Sequence, residues 1–207
     1  MIKLAVFDFD GTIADSFEVS LQIAAELLGR PRLSKNEIEI LRTLPTKVVM
    51  KRLGIRHWQL PRLLFKGRKM MATRISEVTM FAGLGSVFKQ LQTAGTKICI
   101  MSSNDAQLID DFLILHQSRN YFDTIIGGVN LFKKAKQLKK IKKTYGVTRH
   151  QIVYIGDETR DIAAAKKSGV RSAAVSWGYN SESALKNEAP DILAKTTKQL
   201  TKELQIL

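Results

Sequence analysis

Short apolar runs alternate with amphipathic stretches along most of the chain. The runs are four to six residues long and end near small or polar residues, which is typical of buried strands followed by turns. They cover residues 3–8, 97–102, 124–127, 151–155 and 172–175. Between them apolar residues recur at helical spacing, for example at Leu84, Val87, Phe88 and Leu91. Strands with few polar residues that alternate with such helices predict an α/β fold, a doubly wound parallel sheet covered on both faces.

The interval from residue 16 to residue 80 breaks this alternation, because it carries helix signals and no convincing strand. Four helices are predicted here. The first carries an apolar stripe from Leu21 to Leu28, and the second follows Ser34 and stops at Leu44-Pro45. The third covers residues 46–53, and the fourth runs from Pro61 to Val78. Ser34 is a favoured N-cap and Pro61 a favoured first helical residue. We therefore predict an all-helical insert over residues 16–80, placed within a core formed by residues 1–15 and 81–207.

Composition places the chain among ordinary globular proteins. Of its 207 residues, 44% are hydrophobic and 25% charged, which excludes a disordered tail. A single cysteine, Cys99, excludes a disulfide framework and a multi-thiolate zinc site, and its apolar strand predicts that it is buried and inert. Trp58 is expected in the core of the insert. The chain has no apolar run of eighteen residues and no apolar leader, so we expect a soluble, cytoplasmic protein with no membrane partner.

The charge balance is strongly basic. Lys and Arg number 33 against 19 Asp and Glu, a formal net charge of +14, and the insert alone carries 13 basic residues against five glutamates. Such an excess favours anionic partners, whether phosphates, nucleic acid or an acidic surface. Lysines also crowd residues 133–143 without interleaved aromatics, so we expect at most weak, non-specific binding to nucleic acid through a solvated basic helix face.

Polar side chains follow several of the predicted strands directly. Asp8, Asp10 and Thr12 follow the first strand, and Asp157 and Asp161 follow the strand that ends at residue 155. Because the carboxyl ends of parallel strands meet at one edge of a sheet, these groups are expected to converge. Two carboxylates about 4 Å apart repel by roughly 4 kcal/mol at an effective dielectric constant near 20, so the cluster needs a cation. Oxygen ligands of this kind suit Mg²⁺.

Four segments at these positions resemble the four motifs of the haloacid dehalogenase-like (HAD) hydrolases. Asp-Phe-Asp-Gly-Thr-Ile-Ala-Asp-Ser at residues 8–16 resembles the first motif, and Gly-Asp-Glu-Thr-Arg-Asp at residues 156–161 resembles the fourth. Ser102-Ser103-Asn104 is similar to the second and Lys134 to the third. The resemblance covers essentially the whole chain and is closest to the phosphoglycolate-phosphatase-like branch, with which Trp177-Gly178-Tyr179 agrees. It implies a Rossmann-like core whose helical insert is a cap.

The resemblance also implies the chemistry, a Mg²⁺-dependent phosphatase that hydrolyses a small phosphorylated metabolite through an aspartyl phosphate. The basic insert then suggests an anionic substrate, such as a phosphorylated carboxylate or a nucleotide. Asp8 would be the nucleophile and a magnesium ligand. Asp10 would be the general acid/base and would bind the metal through its backbone carbonyl, and Asp157 would be a further ligand. Dehalogenating members lack the second acid at the position of Asp10, so Asp10 favours phosphate chemistry.

The remaining motif residues would bind the phosphoryl group or support the site. Ser102, Ser103 and Asn104 would bind phosphoryl oxygens, with Ser102 also counted as catalytic; Ser-Ser-Asn before a helix is equally an N-cap cluster. Lys134 would hold the same charge, although Lys133 precedes it where relatives commonly have glycine, and either lysine could face the site. The supporting residues would be Thr12 and Asp161; Asp161 would orient the metal's waters or the lysine, or only brace its helix.

Two other functions fit the same sequence. A phosphomutase of the same superfamily would keep the phosphoryl group on Asp8 long enough to transfer it. A non-catalytic module would instead bind nucleic acid through its basic faces, although such a protein has no use for Asp8, Asp10, Lys134 and Asp157 together. Within the insert, Arg42 is one candidate contact to the substrate. Residues 81–83, where the chain returns from the insert to the core, read Phe-Ala-Gly, whereas many relatives have proline in the middle. The sequence therefore does not decide how stiff this hinge between core and cap is.

Overall fold

The computed structural model describes residues 1–44, 46–130 and 133–207. The strands are β1 (Leu4–Phe7), β2 (Ala14–Asp15), β3 (Thr79–Met80), β4 (Lys97–Met101), β5 (Thr124–Ile126), β6 (Ile152–Gly156), β7 (Arg171–Val175) and β8 (Ile192–Ala194). The helices are α1 (Phe17–Leu27), α2 (Lys35–Arg42), α3 (Thr46–Arg52), α4 (Leu60–Thr73), α5 (Leu84–Thr93), α6 (Ala106–Leu115), α7 (Lys134–Thr144), α8 (Thr159–Ser168), α9 (Glu182–Asn187) and α10 (Thr197–Ile206).

A six-stranded parallel sheet organises the described part of the chain. Its strand order is β5-β4-β1-β6-β7-β8, so the chain builds outward from β1 first on one side and then on the other. Leu4 of β1 lies opposite Lys97 of β4 and opposite Ile152 of β6. This arrangement confirms the predicted α/β class and the doubly wound parallel sheet. It also places the ends of β1, β4 and β6 side by side, where ligands bind in open sheets of this kind.

Alternate residues of each strand bury their side chains on opposite faces of the sheet, as the pleat requires. Phe7 and Ile155 join the apolar cluster that includes residues of α5, α6 and α10. Val6 and Tyr154 join the cluster on the other face, with residues of α7 and α8. Because both faces are covered, the strands are apolar at nearly every position, and this is why their sequence pattern was visible.

Strand β8 did not appear in the sequence analysis. It has three residues and pairs with β7 from Ile192 opposite Ala173 to Ala194 opposite Val175. A run of three apolar residues is too short to show a period, and Pro190 just before it reads as a loop signal. Tertiary pairing with β7 makes it a strand.

Four helices, α1 to α4, lie between β2 and β3. Ser34 caps α2 with a reciprocal capping box to Glu37, as expected of a serine at that position. Helix α4 ends at Thr73, earlier than the predicted Val78, and a 3₁₀ turn at Ile75–Glu77 takes over the last part of the apolar stripe. Helix α2 ends at Arg42, two residues before the predicted stop at Leu44-Pro45, of which Pro45 lies outside the described residues.

The helical segment begins and ends at a two-stranded antiparallel pairing that the sequence did not reveal. Ala14 lies opposite Met80, and Asp15 lies opposite Thr79. A two-residue strand carries no periodic signal, so the expectation of no strand between residues 16 and 80 was wrong at Thr79–Met80. Ile23 of α1 and Met71 of α4 belong to the same apolar cluster as Phe7 of the sheet. The division into a core of residues 1–15 and 81–207 and a cap of residues 16–80 stays a prediction.

Two expectations about single side chains have opposite outcomes. Trp58 was expected in the core of the helical segment, but 72% of its surface is exposed, because it lies in a short 3₁₀ turn before α4 and outside the apolar clusters. Cys99 is fully buried in β4, as expected. Burial raises the pKa of its thiol to about 12, with a smaller contribution from Asp123.

Helix α7 has a buried apolar face and an exposed basic face. Leu138 and Ile141 of this helix are buried, whereas Lys136, Lys139 and Lys140 are exposed. The amphipathic basic face predicted for this stretch is therefore present, and its weak affinity for nucleic acid stays a prediction. No helix in the described ranges has the length and hydrophobicity needed to cross a bilayer.

The environment of Cys99 predicts that its thiol does not react in the folded protein. With a pKa of about 12, the thiol is essentially all protonated at pH 8, and the strand shields it from reagent. We expect iodoacetamide at pH 8 to leave the folded chain unmodified and to label one site in 6 M urea, as read by intact mass. Because the chain has one cysteine, equal labelling rates in the two conditions would contradict the assigned burial.

Candidate active site

The central contact of the site joins the start of α7 to the end of β1. Asp8 follows β1 directly, and its backbone N–H donates to the carbonyl of Ile155 at 2.8 Å, which holds it beside β6. Lys134 is the first residue of α7 and is buried. Its Nζ lies 2.7 Å from Oδ2 of Asp8 and 2.7 Å from Oδ1 of Asp161. Lys133 is exposed, so of the two candidate lysines it is Lys134 that lies among the carboxylates.

Asp161 stands in the first turn of α8, and both of its oxygens have partners. Oδ1 accepts from the ammonium of Lys134 and from the hydroxyl of Tyr154 at 3.0 Å. Oδ2 accepts from the backbone N–H of Glu158 at 3.2 Å, which closes a capping box at the start of α8. Asp161 therefore contacts both the start of its own helix and the lysine, and its supporting role in the site stays a prediction.

Asp157 is held by two loops that approach it unusually closely. Oδ1 accepts from the Thr12 hydroxyl at 2.9 Å, and Oδ2 accepts from the backbone N–H of Tyr179 at 2.7 Å. A Cβ at Gly11 would lie 2.2 Å from Oδ2 of Asp157, and one at Gly178 would lie 2.3 Å from it. Only glycine allows this approach, and the φ of +72° at Gly11 favours glycine independently. Thr12 thus supports the site through Asp157.

Asp10 lies beside this cluster, and its carboxylate has different partners. Oδ1 accepts from the Ser16 hydroxyl at 2.8 Å, and Oδ2 accepts from the side-chain amide of Asn104 at 2.7 Å. The Tyr179 hydroxyl lies 2.9 Å from Oγ of Ser16 and 3.0 Å from Oγ of Ser20. These contacts connect the loop after β1 with the loop after β4, the loop after β7 and the first helix of the inserted segment.

The three residues after β4 do not occupy equivalent positions. Ser102 is buried, and its Oγ accepts from the backbone N–H of Asn104 at 3.0 Å. Ser103 and Asn104 line a cavity of about 260 Å³ above Asp8 and Asp10, and Ser102 is absent from the described lining. The phosphate-binding roles of these three residues, like the roles assigned to Asp8, Asp10, Lys134 and Asp157, stay predictions at this point.

The electrostatics of the cluster are dominated by burial. Burial raises the pKa of Asp8 to about 7, with Lys134 opposing the shift and Asp161 adding to it. Burial also raises the pKa of Asp10, opposed by the hydrogen bond from Ser16, and raises the pKa of Asp157 well above its usual range, with Glu158 adding. Burial alone would lower the pKa of Lys134, but Asp161 and Asp8 outweigh it and raise that pKa well above normal.

The carboxylates outnumber the cations that the core supplies. Asp8, Asp157, Glu158 and Asp161 are buried and Asp10 is partly buried, whereas the cations beside these acids are the buried Lys134 and the more exposed Arg160. Arg160 pairs with Glu158, and Lys134 is shared by Asp8 and Asp161. The remaining negative charge adds to the effect of burial on the carboxyl pKa values and is the kind of imbalance that a divalent cation corrects.

The donor set fits magnesium. Carboxylate oxygens of Asp8, Asp157 and Asp161 lie within 4.8 Å of one another, and all three residues are buried. Hard oxygen donors at this spacing suit Mg²⁺, which accepts one or two protein carboxylates and keeps several waters. Oδ1 of Asp161 already accepts from both Lys134 and Tyr154, whereas each oxygen of Asp157 accepts one hydrogen bond and Asp8 contacts Lys134 through Oδ2. Asp8 and Asp157 therefore stay the predicted ligands. The carboxylate of Asp10 is not in this group, which leaves its expected backbone-carbonyl contact a prediction.

Several residues of the site carried no role in the sequence analysis. Tyr154 lies inside an apolar strand, where a single polar tip is the available signal, and Tyr179 lies in a segment noted only for its resemblance. Arg68 of α4 lines the cavity, but it is one of 13 basic residues in residues 16–80 and nothing in the sequence singles it out.

Arg42, the candidate contact named from sequence, lies elsewhere. Its guanidinium is 3.2 Å from Oδ1 of Asp15 and stacks on Phe17, with 4.8 Å from its Cζ to the ring centroid. It lines a separate polar groove with Asp15 and not the cavity at Asp8. The expectation was wrong because an acid near the start of α1 engages this arginine.

A comparison with protein families decides the classification. The family model described as haloacid dehalogenase-like hydrolase matches residues 5–175, which include all four motif positions. The chain belongs to the haloacid dehalogenase-like hydrolases. The resemblance noted from the motifs is therefore confirmed, and the chain is an enzyme, a hydrolase of this family.

Relatives in sequence place this hydrolase on the phosphoglycolate-phosphatase-like branch. It is 30% identical over 202 residues to a phosphoglycolate phosphatase from Synechococcus elongatus, an alignment that covers 96% of this chain and 95% of the relative. It is 24% identical over 209 residues to a phosphoglycolate phosphatase from Vibrio cholerae, covering 93% and 92% of the two chains.

Solved structures support the fold. A predicted phosphatase from Clostridium acetobutylicum superimposes with a TM-score of 0.81 at 18% identity, covering 100% of both chains. A haloacid dehalogenase-like family hydrolase from Streptococcus pneumoniae superimposes with a TM-score of 0.78 at 22% identity, covering 99% of both chains. At these identities the likeness concerns the architecture.

The raised carboxyl pKa values predict how Mg²⁺ and pH act together on stability. Without a cation, the folded chain keeps a proton on Asp8 up to a pKa of about 7, against a usual value of 3.8, so its stability falls as pH rises through that interval. Mg²⁺ binds the ionised form and should therefore stabilise the fold more at pH 8 than at pH 5.5. We expect saturating Mg²⁺ to raise the melting temperature by about 5 °C or more at pH 8.

Differential scanning fluorimetry at the two pH values measures this dependence. Asp157→Asn should remove the response to Mg²⁺, because it removes a ligand charge from the cluster. Asp110→Asn is the matched control, since Asp110 pairs with Arg119 away from the site, and it should keep the full response. An equal Mg²⁺ effect at pH 5.5 and pH 8 would contradict the assignment of raised pKa values to the metal ligands.

Proposed function

We propose that the protein is a Mg²⁺-dependent phosphatase that hydrolyses a small phosphorylated metabolite through a phosphoryl group carried on Asp8. One observation carries the proposal: the Lys134 ammonium lies 2.7 Å from Asp8 in a buried acidic cluster, next to a cavity that Asp10 also lines. A nucleophile, a fixed cation and a second acid are thereby brought to one point.

The first step transfers the phosphoryl group to the enzyme. An ionised oxygen of Asp8 attacks phosphorus, an Oδ–P bond forms, and the bond between phosphorus and the ester oxygen breaks. Lys134 reduces the repulsion between the anionic nucleophile and the anionic substrate. Ser103 and Asn104 line the cavity, where the Ser103 hydroxyl and the second amide hydrogen of Asn104 would bind phosphoryl oxygens. Asp10 gives its proton to the departing ester oxygen, which leaves as an alcohol.

The second step restores the enzyme. Asp10, now ionised, takes a proton from a water that attacks phosphorus, the Oδ–P bond breaks, and inorganic phosphate leaves Asp8 as a free carboxylate. The raised pKa of Asp10 supports this dual role, because a group that alternates between acid and base works best when its pKa approaches the working pH. Asn104 and Ser16 hold its two oxygens and so fix the direction of the proton transfer.

Asp8 and Asp157 would hold the magnesium, with the backbone carbonyl of Asp10 as the third protein ligand. The ion supplies positive charge that reduces the repulsion between the acids and the phosphoryl group. Thr12 and the backbone N–H of Tyr179 hold Asp157 in position for this task, and Asp161 acts on the site through Lys134.

The helical segment would act as the cap of the site. Its α1 and α4 contribute residues such as Ile23, Leu63 and Arg68 to the cavity, so a substrate on Asp8 is enclosed between segment and sheet. Closure of such a segment excludes water from the reaction and lets it select the leaving group. A cytoplasmic location is part of the proposal, because small phosphorylated metabolites are its substrates.

Substitution of the two proposed catalytic acids tests the mechanism. With a panel of phosphate monoesters and Mg²⁺, Asp8→Asn should show no turnover above background, since an amide oxygen does not form the phosphorylated intermediate. Asp10→Asn should lower kcat by about 10²- to 10⁴-fold, the usual contribution of general acid–base catalysis. Phosphate release is measured without a sugar bisphosphate, on which a phosphomutase would depend.

The matched control is Asp15→Asn, a change of the same kind a few residues further along. Asp15 pairs with Arg42 and does not line the cavity at Asp8, so turnover should stay within about twofold of the unmodified chain. Turnover that survives Asp8→Asn, or that needs a bisphosphate activator in the unmodified chain, would reject the proposed function.

A further inference from the structure

The cavity above Asp8 has two chemically different sides. One side is formed by polar or charged residues in the loops and helix starts at the end of the sheet, among them Asp8, Asp10, Asn104, Lys134, Glu158 and Arg160. The helical segment contributes mainly apolar side chains. Those that form most of the opposite wall are Ile23, Leu27, Leu60, Leu63, Leu64 and Met71. This apolar wall, defined by these six residues, faces the place where the leaving group of a phosphate ester on Asp8 has to lie.

The charge of the helical segment does not reach this wall, with one exception. Of the basic residues in the described part of the segment, Arg68 is the one that lines the cavity. It makes no hydrogen bond and no ion pair with any residue that the structure describes, whereas Lys134 and Arg160 are both paired with carboxylates. Its charge acts on Asp10, where it opposes the rise of the carboxyl pKa. Arg68 therefore stands near the proposed proton donor with its hydrogen-bond donors available.

These two features disfavour a leaving group that is both very small and wholly polar. A leaving group without a hydrocarbon part would leave the apolar wall in contact with water and gain nothing from it. A carboxylate placed against Leu60, Leu63 or Leu64 would lose hydration without receiving a partner. An acidic group near Arg68 combined with a hydrocarbon group along the wall satisfies both sides.

We propose that the substrate is the phosphate ester of an organic acid with a hydrocarbon side chain, whose acidic group binds Arg68 and whose side chain packs on the apolar wall. This inference rests on the proposed function, since it places the phosphoryl group on Asp8. It adds a substrate class and names Arg68 and the apolar wall as the residues that select it.

A homologous series tests the apolar wall. The probes are phosphoglycolate and the 2-phosphooxy acids in which methyl, ethyl, propyl or butyl replaces one hydrogen of its CH₂ group. We expect kcat/KM to rise roughly three- to fourfold for each added carbon until the wall is covered. A flat series, or one in which phosphoglycolate has the highest kcat/KM, would overturn the inference while leaving the phosphatase mechanism standing.

Binding separates this inference from the proposed function. The same series, titrated calorimetrically into the Asp8→Asn chain with Mg²⁺, should show a Kd that falls with side-chain length by a similar factor. This result is required whether or not the unmodified chain turns the esters over. A missing trend in Kd overturns the inference, and a missing turnover with the Kd trend intact overturns the mechanism alone.

Two pairs of neighbouring variants in α4 identify the residues. Leu64→Asn places an amide on the apolar wall and should flatten the dependence of kcat/KM on side-chain length. Phe65→Asn is its control, because Phe65 is 62% exposed and outside the described lining, and it should keep the dependence. If both variants keep the full dependence, the apolar wall is not the selecting surface.

Arg68→Gln tests the contact to the acidic group, with Lys69→Gln as its control, since Lys69 is exposed and lies over Phe65. Loss of a charged hydrogen bond should raise KM for the 2-phosphooxy acids about tenfold or more, and should change KM for butyl phosphate, which lacks the acid, by less than about threefold. Equal losses on both kinds of ester would overturn the assignment of Arg68 to the acid.

Discussion

One ammonium group, that of Lys134, holds the site together. It is buried at the first residue of α7 and is shared by Asp8 after β1 and Asp161 at the start of α8. An unpaired ammonium in this position would be costly, and so would two carboxylates without it. The three residues are therefore interdependent, and the relative positions of β1, α7 and α8 are set by the need to bring them together. The hydroxyl of Tyr154 adds a fourth partner from β6.

The close approach of loops around Asp157 extends this constraint to the edge of the helical segment. Backbone at Gly11 and Gly178 lies against the Asp157 carboxylate, so both loops are fixed relative to β6. Tyr179, next to one of these glycines, then reaches Ser16 and Ser20 at the start of α1. A continuous set of hydrogen bonds thus runs from the acidic cluster to the first helix of the segment that covers it. The position of α1 and the geometry of the site are in this way coupled.

Sequence reasoning was most successful for strands that are buried on both faces of the sheet and for polar residues directly after a strand, because both leave a simple pattern along the chain. The five strands that the sequence predicted are apolar at most positions, and Asp8, Asp157 and Lys134 follow or precede elements whose ends were visible. It failed where long-range contacts decide the outcome. Ile192–Ala194 becomes a strand only through β7, and Thr79–Met80 only through Ala14–Asp15. How the helices pack against one another cannot be read from the spacing of residues along the chain. This packing decides the exposure of Trp58, the pairing of Arg42 with Asp15 and the position of Arg68 in the cavity.

The pairing of Ala14–Asp15 with Thr79–Met80 has a consequence for the history and the engineering of this chain. The chain leaves the main sheet through β2 and returns through β3, which are adjacent and antiparallel. The helices between these two strands therefore form a single insertion. A different set of helices spliced between the same two strands would leave the order of the main sheet and the contact of Lys134 with Asp8 and Asp161 untouched. In the proposed function, a change of helices would alter selectivity for the leaving group without rebuilding the sheet, provided that the four paired residues and the contacts of Ser16 and Ser20 with Tyr179 are kept.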